Sequence, residues 1–371
     1  METRYCIFHV PNHIDPAGKS GSNIRPIKMI EAFKRCGYHV VCVMGYGNER
    51  KKAIDCIKKQ IESGKKYDFL YSESSTMPTL LTEKNHIPRY PNLDFGFFKY
   101  CHRHGIKIGL FYRDIQWKFS VYRDNVKWYK RIFSIPFYKY DLWRYQSLVD
   151  LFYLPTKEMS YYLRDKKSLL SKMEILMPGC ETQNVPPPPN AICTDDLINI
   201  FYVGGVDRIY DLTYFLKAVK SLEGKLRVTI CCRESEWNMV KARYGPYLSS
   251  NIVIVHASGE ELNKYYEKVD LCCAFAGTGE YMRMAMPVKI FEYLGHLKPI
   301  IATKDTAAGN FVEQEGIGWS VEYNVNRLTE CLNGIIEHPE ILKEKVKNEF
   351  KILNLHTWKA RANQVIKDLC N

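Results

Sequence analysis

No uninterrupted apolar run in the 371-residue sequence approaches the roughly 20 residues that a spanning helix needs, so no segment is expected to cross a bilayer. The first residues, Met1-Glu2-Thr3-Arg4-Tyr5, lead straight into an apolar strand-like run. They lack the basic start, longer apolar region and small-residue cleavage site of an export signal, and a cytoplasmic location is expected. Thirteen cysteines are present, an odd number, and none stand in Cys-x-x-Cys spacing. They fall mostly in apolar runs, including Cys231-Cys232 and Cys272-Cys273, which favours buried free thiols over metal ligands or disulfides. No metal-binding cluster and no short internal repeat emerge, and low complexity is confined to the four prolines 186–189.

What remains is globular material, 46% hydrophobic and 25% charged. Such a length exceeds what one hydrophobic core usually organises, which favours two domains. The net charge of +12 calls for an anionic partner: nucleic acid, an anionic membrane surface or a phosphorylated small molecule.

Short β-branched or aromatic runs bounded by turn residues recur at 5–10, 38–44, 67–72, 106–112, 148–154 and 174–177, with helix-length segments between them. That alternation marks βαβ units around a parallel sheet. Pro26 opens a crossover helix with Ile27, Ile30 and Phe33 at helical spacing, Glu31 and Arg35 at i,i+4, and Gly37 at the C-terminal cap. The rhythm breaks at Pro178-Gly179 and restarts at 198–203, 226–231, 252–255, 271–275, 299–302 and 319–321. The expected fold is α/β, with one doubly wound domain over 1–178, a Pro-rich linker over 179–197 and a second doubly wound domain over 198–355. Residues 356–371 form a final amphipathic helix with Trp358, Ala362, Val365, Ile366 and Leu369 on its buried side.

The most informative stretch is 286–303, MPVKIFEYLGHLKPIIAT, a helix-like segment that ends near Gly295 and leads into a buried strand. It sets Lys289 and Glu292 at i,i+3 near a helix start, where free backbone N–H groups take phosphate and a carboxylate can accept both hydroxyls of a ribose. Taken alone, the pair is an ordinary solvated one. With the following Lys298-Pro299-Ile300-Ile301-Ala302-Thr303, it resembles the Pro-x-Lys-x-x-Glu-Tyr pattern of the retaining GT-B glycosyltransferases. The resemblance is to the GT4-like group, glycosyl transferases group 1 of the bacterial surface polysaccharide type.

That resemblance implies two Rossmann-like doubly wound domains facing a cleft, with the C-terminal helix packing back on the first. It implies a nucleotide-sugar donor, UDP- or GDP-linked, held without a metal cofactor, and Glu292 on the donor ribose. The family's first motif glutamate falls at Met284, a departure that leaves the donor sugar open, with Glu280 or the loop Gly277-Thr278-Gly279 as substitutes. Gly204-Gly205 ends a strand with Arg208 after it, a turn that meets the donor diphosphate in the resembled family. Arg233, after Cys231-Cys232, is a second diphosphate candidate. Arg208 and Lys289 are expected to stabilise the departing diphosphate.

In the first domain, Gly18-Lys19-Ser20 is not a P-loop, because a Walker A motif needs glycine where His13 stands. GT-B enzymes have a comparable glycine-containing loop after the first strand, which makes Gly21, Ser22 and Arg25 acceptor-side candidates. Glu73 and Ser74 follow the third strand and suit a hydroxyl-rich acceptor. Phe111-Tyr112-Arg113-Asp114 ends the fourth strand, where ligand-facing residues of an open α/β sheet emerge. Asp114 is the catalytic candidate on that side, and Arg113 stands where the resembled family often has histidine.

From Trp117 to Tyr145, seven basic residues stand against two acidic ones, interleaved with eleven aromatics. Such a mixture lies well in a lipid headgroup layer, with Trp117, Lys127, Trp128, Lys130, Arg131 and Trp143 as contacts. The alternative is a packed aromatic helix pair with a solvated basic rim. Nucleic acid is not expected as a partner, since no recognised motif accompanies the basic residues. The combined expectation is a glycosyltransferase, peripheral on the inner face of the plasma membrane, acting on a glycan or lipid-linked acceptor. A nucleotide-sugar epimerase and a non-catalytic scaffold are the competing readings.

Overall fold

The structure, a computed structural model, describes residues 3–15, 18, 21–182, 197–207 and 209–370. Most of the expected linker lies outside the described residues, as does Arg208. The chain divides into two compact units, Met1–Pro178 with Trp358–Asn371, and Gly179–Thr357.

The first unit carries strands β1 (Arg4–His9), β2 (Tyr38–Val43), β3 (Phe69–Glu73), β4 (Lys107–Phe111), β5 (Leu151–Leu154) and β6 (Met173–Ile175). They pair in parallel in the order β2-β1-β3-β4-β5-β6. Every residue of β3 is buried, as both faces of a parallel sheet require. The main helices are α1 (Gly21–Arg35), α2 (Gly47–Glu62), α3 (Leu93–Arg103) and α4 (Trp128–Leu148). Helix α1 begins five residues before the expected start and takes Pro26 into its interior, because Arg25 and Pro26 are both buried and hold the extra turn in place. Gly37 follows α1 at φ +87°, a conformation that glycine adopts without strain. The terminal helix Trp358–Cys370 belongs to this unit, as expected: its buried side includes Trp358, Ala362, Val365 and Leu369, and Arg361 Nε donates to Pro178 O at 3.1 Å.

Beneath the ends of β1 and β3 lies a closed polar network. His9 Nδ1 meets Ser72 Oγ at 2.8 Å and His9 Nε2 meets Asp94 Oδ1 at 2.9 Å. Arg50 holds both oxygens of Asp94, at 2.9 and 3.1 Å, and donates to Gly45 O at 2.6 Å. Burial alone would raise the Asp94 pKa, but the His9 and Arg50 contacts outweigh it and hold the carboxyl below its ordinary value.

The second unit carries β7 (Ile198–Val203), β8 (Leu226–Cys231), β9 (Ile252–Val255), β10 (Leu271–Ala274), β11 (Ile300–Thr303) and β12 (Gly318–Val321). All pair in parallel, in the order β12-β11-β10-β7-β8-β9. The winding reverses between β7 and β10, and open α/β sheets bind ligands outside the carboxyl ends at such a point. Helices α5 (Thr213–Ser221), α6 (Glu234–Tyr244), α7 (Glu280–Met284), α8 (Val288–Gly295), α9 (Ala307–Gln314), α10 (Val325–Glu337) and α11 (Ile341–Leu353) surround the sheet. Cys231, Cys232, Cys272 and Cys273 are buried free thiols, as their apolar runs lead one to expect.

Removing one partner of a buried ion pair strands the other, at a cost of about 3–5 kcal/mol. Asp94→Ala is therefore expected to destabilise the first unit by about that amount in urea unfolding. Because the Asp94 pKa is depressed in the folded state, its contribution is complete above the unfolded carboxyl pKa of about 3.9 and fades as pH falls below it.

Candidate functional site

At the switch point of the second unit, β7 runs into Gly204 and Gly205. Gly204 N donates to Cys231 O at 3.0 Å, and its φ of +140° excludes other residues without strain. A side chain on Gly205 would stand 3.2 Å from the Tyr210 ring and 3.5 Å from Glu236 Oε2, so the turn is closely packed. The Tyr202 hydroxyl donates to Gly205 O. Asp207 Oδ1 accepts from the backbone N–H groups of Ile209 and Tyr210 at 3.0 and 3.2 Å.

Lys289, in the first turn of α8, sends its ammonium under this turn. Nζ lies 4.0 Å from the centre of the Tyr202 ring and 4.9 Å from that of Tyr210, and 3.3 Å from where a Gly204 Cβ would stand. Nζ is shut off from solvent and makes no hydrogen bond among the described residues, although the stem of the side chain is half-buried. Desolvation lowers its pKa to about 8, partly offset by the Cys273 thiol and the Glu292 carboxylate. The two tyrosine rings supply cation–π stabilisation that offsets part of the cost of burying the charge.

Tyr293, next to Glu292, ties the switch point together. Its hydroxyl accepts from Val203 N at 3.1 Å and lies 3.1 Å from Cys273 O, so one side chain bridges the ends of β7 and β10. Glu292 is half-buried one turn along α8 from Lys289, as its i,i+3 spacing predicts. Met284 is 2% exposed and packs inward, so the position of the missing glutamate is part of the core. Glu280 opens α7 and is exposed. Arg233, the second diphosphate candidate, pairs its guanidinium with Glu236 on the next turn, and the other oxygen of that carboxylate lies against Gly205. Tyr202, Tyr210 and Glu236 were not legible as site residues, and only the i,i+3 spacing of Arg233 and Glu236 hinted at that pair.

In the first unit, four acceptor-side candidates converge as a buried ion cluster. Glu73 is fully buried between Arg25 Nε at 3.2 Å and an Arg113 terminal nitrogen at 2.8 Å, and also accepts from the Tyr71 hydroxyl at 3.1 Å. Arg25 lies over the Phe111 ring at 3.6 Å and donates to Met177 O at 3.3 Å. Arg113 Nε donates to Ser74 O at 3.2 Å, Ser74 Oγ accepts from Arg113 N at 2.9 Å, and a second Arg113 nitrogen donates to Gly21 O at 3.3 Å. Arg25, Glu73, Ser74 and Arg113, expected on the acceptor side, are thus brought together by their contacts with one another. Two arginines share one carboxylate below the strand ends, and these contacts hold β3, β4 and the start of α1 together. Gly21, Ser22 and Asp114 stay half-buried, with Asp114 Oδ1 accepting from Gln116 N at 2.9 Å.

The aromatic stretch divides into two faces. Phe119, Tyr122, Tyr138 and Tyr145 are buried, and half-buried Trp117 stacks on Tyr138 at 5.3 Å. On α4, Trp128, Tyr129, Ile132, Phe133 and Trp143 are each at least half exposed, with exposed Lys127, Lys130 and Lys139 among them and Arg131 half-buried. Among the described residues, no helix is long and apolar enough to cross a membrane.

Residues 198–338 match the family model described as "Glycosyl transferases group 1". The match covers most of the second unit, including Lys289 and Glu292, and bears out the resemblance drawn from 286–303. No curated protein matches the chain. Among solved structures, Anabaena HepE in complex with UDP-glucose is similar at 11% identity and a TM-score of 0.66, over 98% of both chains. A Rickettsia africae glycosyltransferase is similar at 14% identity and 0.65, over 99% of both. A Burkholderia xenovorans trehalose-phosphate synthase in complex with glucose-6-phosphate is similar at 10% identity and 0.61, over 99% of this chain and 100% of that one. At such identities the likeness establishes the fold, the two Rossmann-like units of the GT-B architecture.

The Lys289 ammonium should be charged below about pH 8 and lose its proton above it. NMR of isotopically labelled lysines is expected to show one group titrating near pH 8, absent in Lys289→Met. Titration of every lysine near the ordinary value of about 10.4 would refute the buried placement.

Proposed function

From the premise that residues 198–338 form a glycosyl transferases group 1 domain, we propose that this enzyme moves a sugar from a UDP- or GDP-linked donor onto a membrane-held glycan acceptor. The observation that carries this reading is the buried Lys289 ammonium under the Gly204-Gly205 turn, which has no hydrogen bond among the described residues and lies inside the matched domain. A buried ammonium without a hydrogen-bond partner among those residues, at a switch point, suits an anion, and a donor diphosphate supplies one. Lys289, with Arg208, would stabilise the charge on the leaving diphosphate without a metal ion, and Glu292 would accept from the ribose hydroxyls. The acceptor hydroxyl is assigned to the first unit near Asp114, and transfer with retention follows the resembled group. UDP is the favoured nucleotide, since similar folds bind UDP-sugars.

Calorimetry with UDP and GDP, followed by hydrolysis of the matching sugar nucleotides in EDTA, tests the proposal. One nucleotide should bind, and Lys289→Met should weaken it about tenfold or more, in line with a lost charged hydrogen bond of about 1.5–3 kcal/mol. Affinity should fall as pH rises through about 8, a slope that the variant lacks. Loss of turnover in EDTA with recovery on manganese would overturn the metal-free mechanism. Binding without turnover would favour a scaffold, the second reading, which the buried Met284 supports.

The exposed face of α4 is assigned to the inner surface of an anionic membrane, on charge complementarity. Basic residues flank exposed aromatics, and each near-surface Lys or Arg contributes about 1 kcal/mol with anionic lipid. In co-sedimentation with vesicles of equal parts phosphatidylglycerol and phosphatidylcholine, the chain should bind, and Trp128→Ser with Phe133→Ser should release it. No binding at physiological salt, or a stable dimer that buries this face instead, would overturn the assignment.

A further inference from the structure

Helix α11 buries one stripe of side chains, Leu342, Val346, Glu349 and Leu353, which recur at helical spacing. Glu349 is the ionisable member of that stripe and is 0% exposed. Both of its carboxyl oxygens are shut off from solvent and make no hydrogen bond among the described residues. The buried carboxylates of the first unit are held differently, Asp94 by Arg50 and His9 and Glu73 by Arg25 and Arg113.

The groups around Glu349 do not balance a negative charge. Lys298, in the turn between α8 and β11, acts on it electrostatically, but the ammonium donates to Val269 O at 2.7 Å. On β10, desolvation holds the Cys272 thiol well above its ordinary pKa and so keeps it uncharged. Helix α8 packs against α11. On α8, Lys289 lies under the glycine turn, the Tyr293 hydroxyl is engaged with Val203 and Cys273, and Glu292 is of like charge. Just beyond α8, burial lowers the His296 pKa to about 4. Just beyond α11, His356 packs on the Phe291 and Phe311 rings, and on α11 itself Lys343, Lys347 and Lys351 are exposed.

A buried carboxylate without a partner is so costly that the group takes up a proton instead. Desolvation accordingly raises the Glu349 pKa well above the ordinary carboxylate range, and Lys298 offsets only part of the rise.

We propose that Glu349 is an uncharged carboxylic acid in the folded chain and acts as a pH-sensitive latch, which loosens the packing of α11 as rising pH ionises it. The latch bears on the helix that carries Lys289 and Glu292, because α11 packs against α8. It holds whatever the second unit binds. The unfolded chain gives up the Glu349 proton near pH 4.3, whereas the folded chain keeps it to higher pH. Stability from the bound proton is therefore complete below about pH 4.3 and is lost as pH rises toward the folded value. Across that window this one group raises the unfolding constant about tenfold per pH unit.

Urea unfolding of the full chain between pH 5 and 7, followed by pulsed hydrogen exchange on peptides of α11 and β8, tests the latch. The window lies above the His296 value of about 4 and below the Lys289 value of about 8. Glu349→Gln keeps the shape of the side chain and cannot ionise. Relative to that variant, the unsubstituted chain should gain about tenfold in unfolding constant per pH unit. Glu349→Met removes the carboxyl altogether and should run parallel to Glu349→Gln, so that either variant suffices if the other fails to fold. An unsubstituted chain whose pH profile parallels the variants overturns the proposal. So does a relative slope of opposite sign, which marks an ionised Glu349 paired with Lys298 through water.

Discussion

A parallel sheet covered by helices on both faces leaves its polar chemistry only at the strand ends, and both units obey that constraint. In the second unit the reversal between β7 and β10 opens a gap at the carboxyl edge. Tyr293 holds that gap to a set width by bridging Val203 and Cys273. The glycine turn, the Lys289 ammonium and Glu292 all depend on it. In the first unit, β3 and β4 end side by side, and Glu73, Ser74 and Arg113 meet there because their strands are neighbours.

Buried charge is handled in opposite ways in the two units, and the contrast separates support from function. Asp94 is surrounded by Arg50 and His9, and Glu73 by Arg25 and Arg113. These carboxylates are ion-paired where they lie and serve to hold strand ends together. Lys289 has tyrosine rings and no hydrogen bond among the described residues. A positive charge left short of partners at a ligand edge is stabilised further by an incoming anion.

Helix α4 shows how one element serves both packing and surface. Its buried side is polar enough to grip the loop after β3 through Tyr138, Asp141 and Tyr145, and its other side keeps large apolar groups in water. An exposed apolar patch rimmed by positive charge marks a place of interaction. Here that patch and the loop-gripping residues share a single helix.

The sequence by itself determined the architecture: the strands of the described residues lie where short β-branched and aromatic runs place them, because periodicity and turn residues act locally. It also determined the placing of Lys289 and Glu292 on one face of α8, since i,i+3 spacing is a property of any helix. Only the tertiary structure decided what those residues meet. Tyr202 lies far from Lys289 in the chain, and Glu73 is separated from Arg113 by 40 positions. Nothing in local spacing shows that one charge lies between tyrosine rings while the others are ion-paired. Whether a charged side chain supports or serves depends on which strand ends become neighbours, and sheet order decides that.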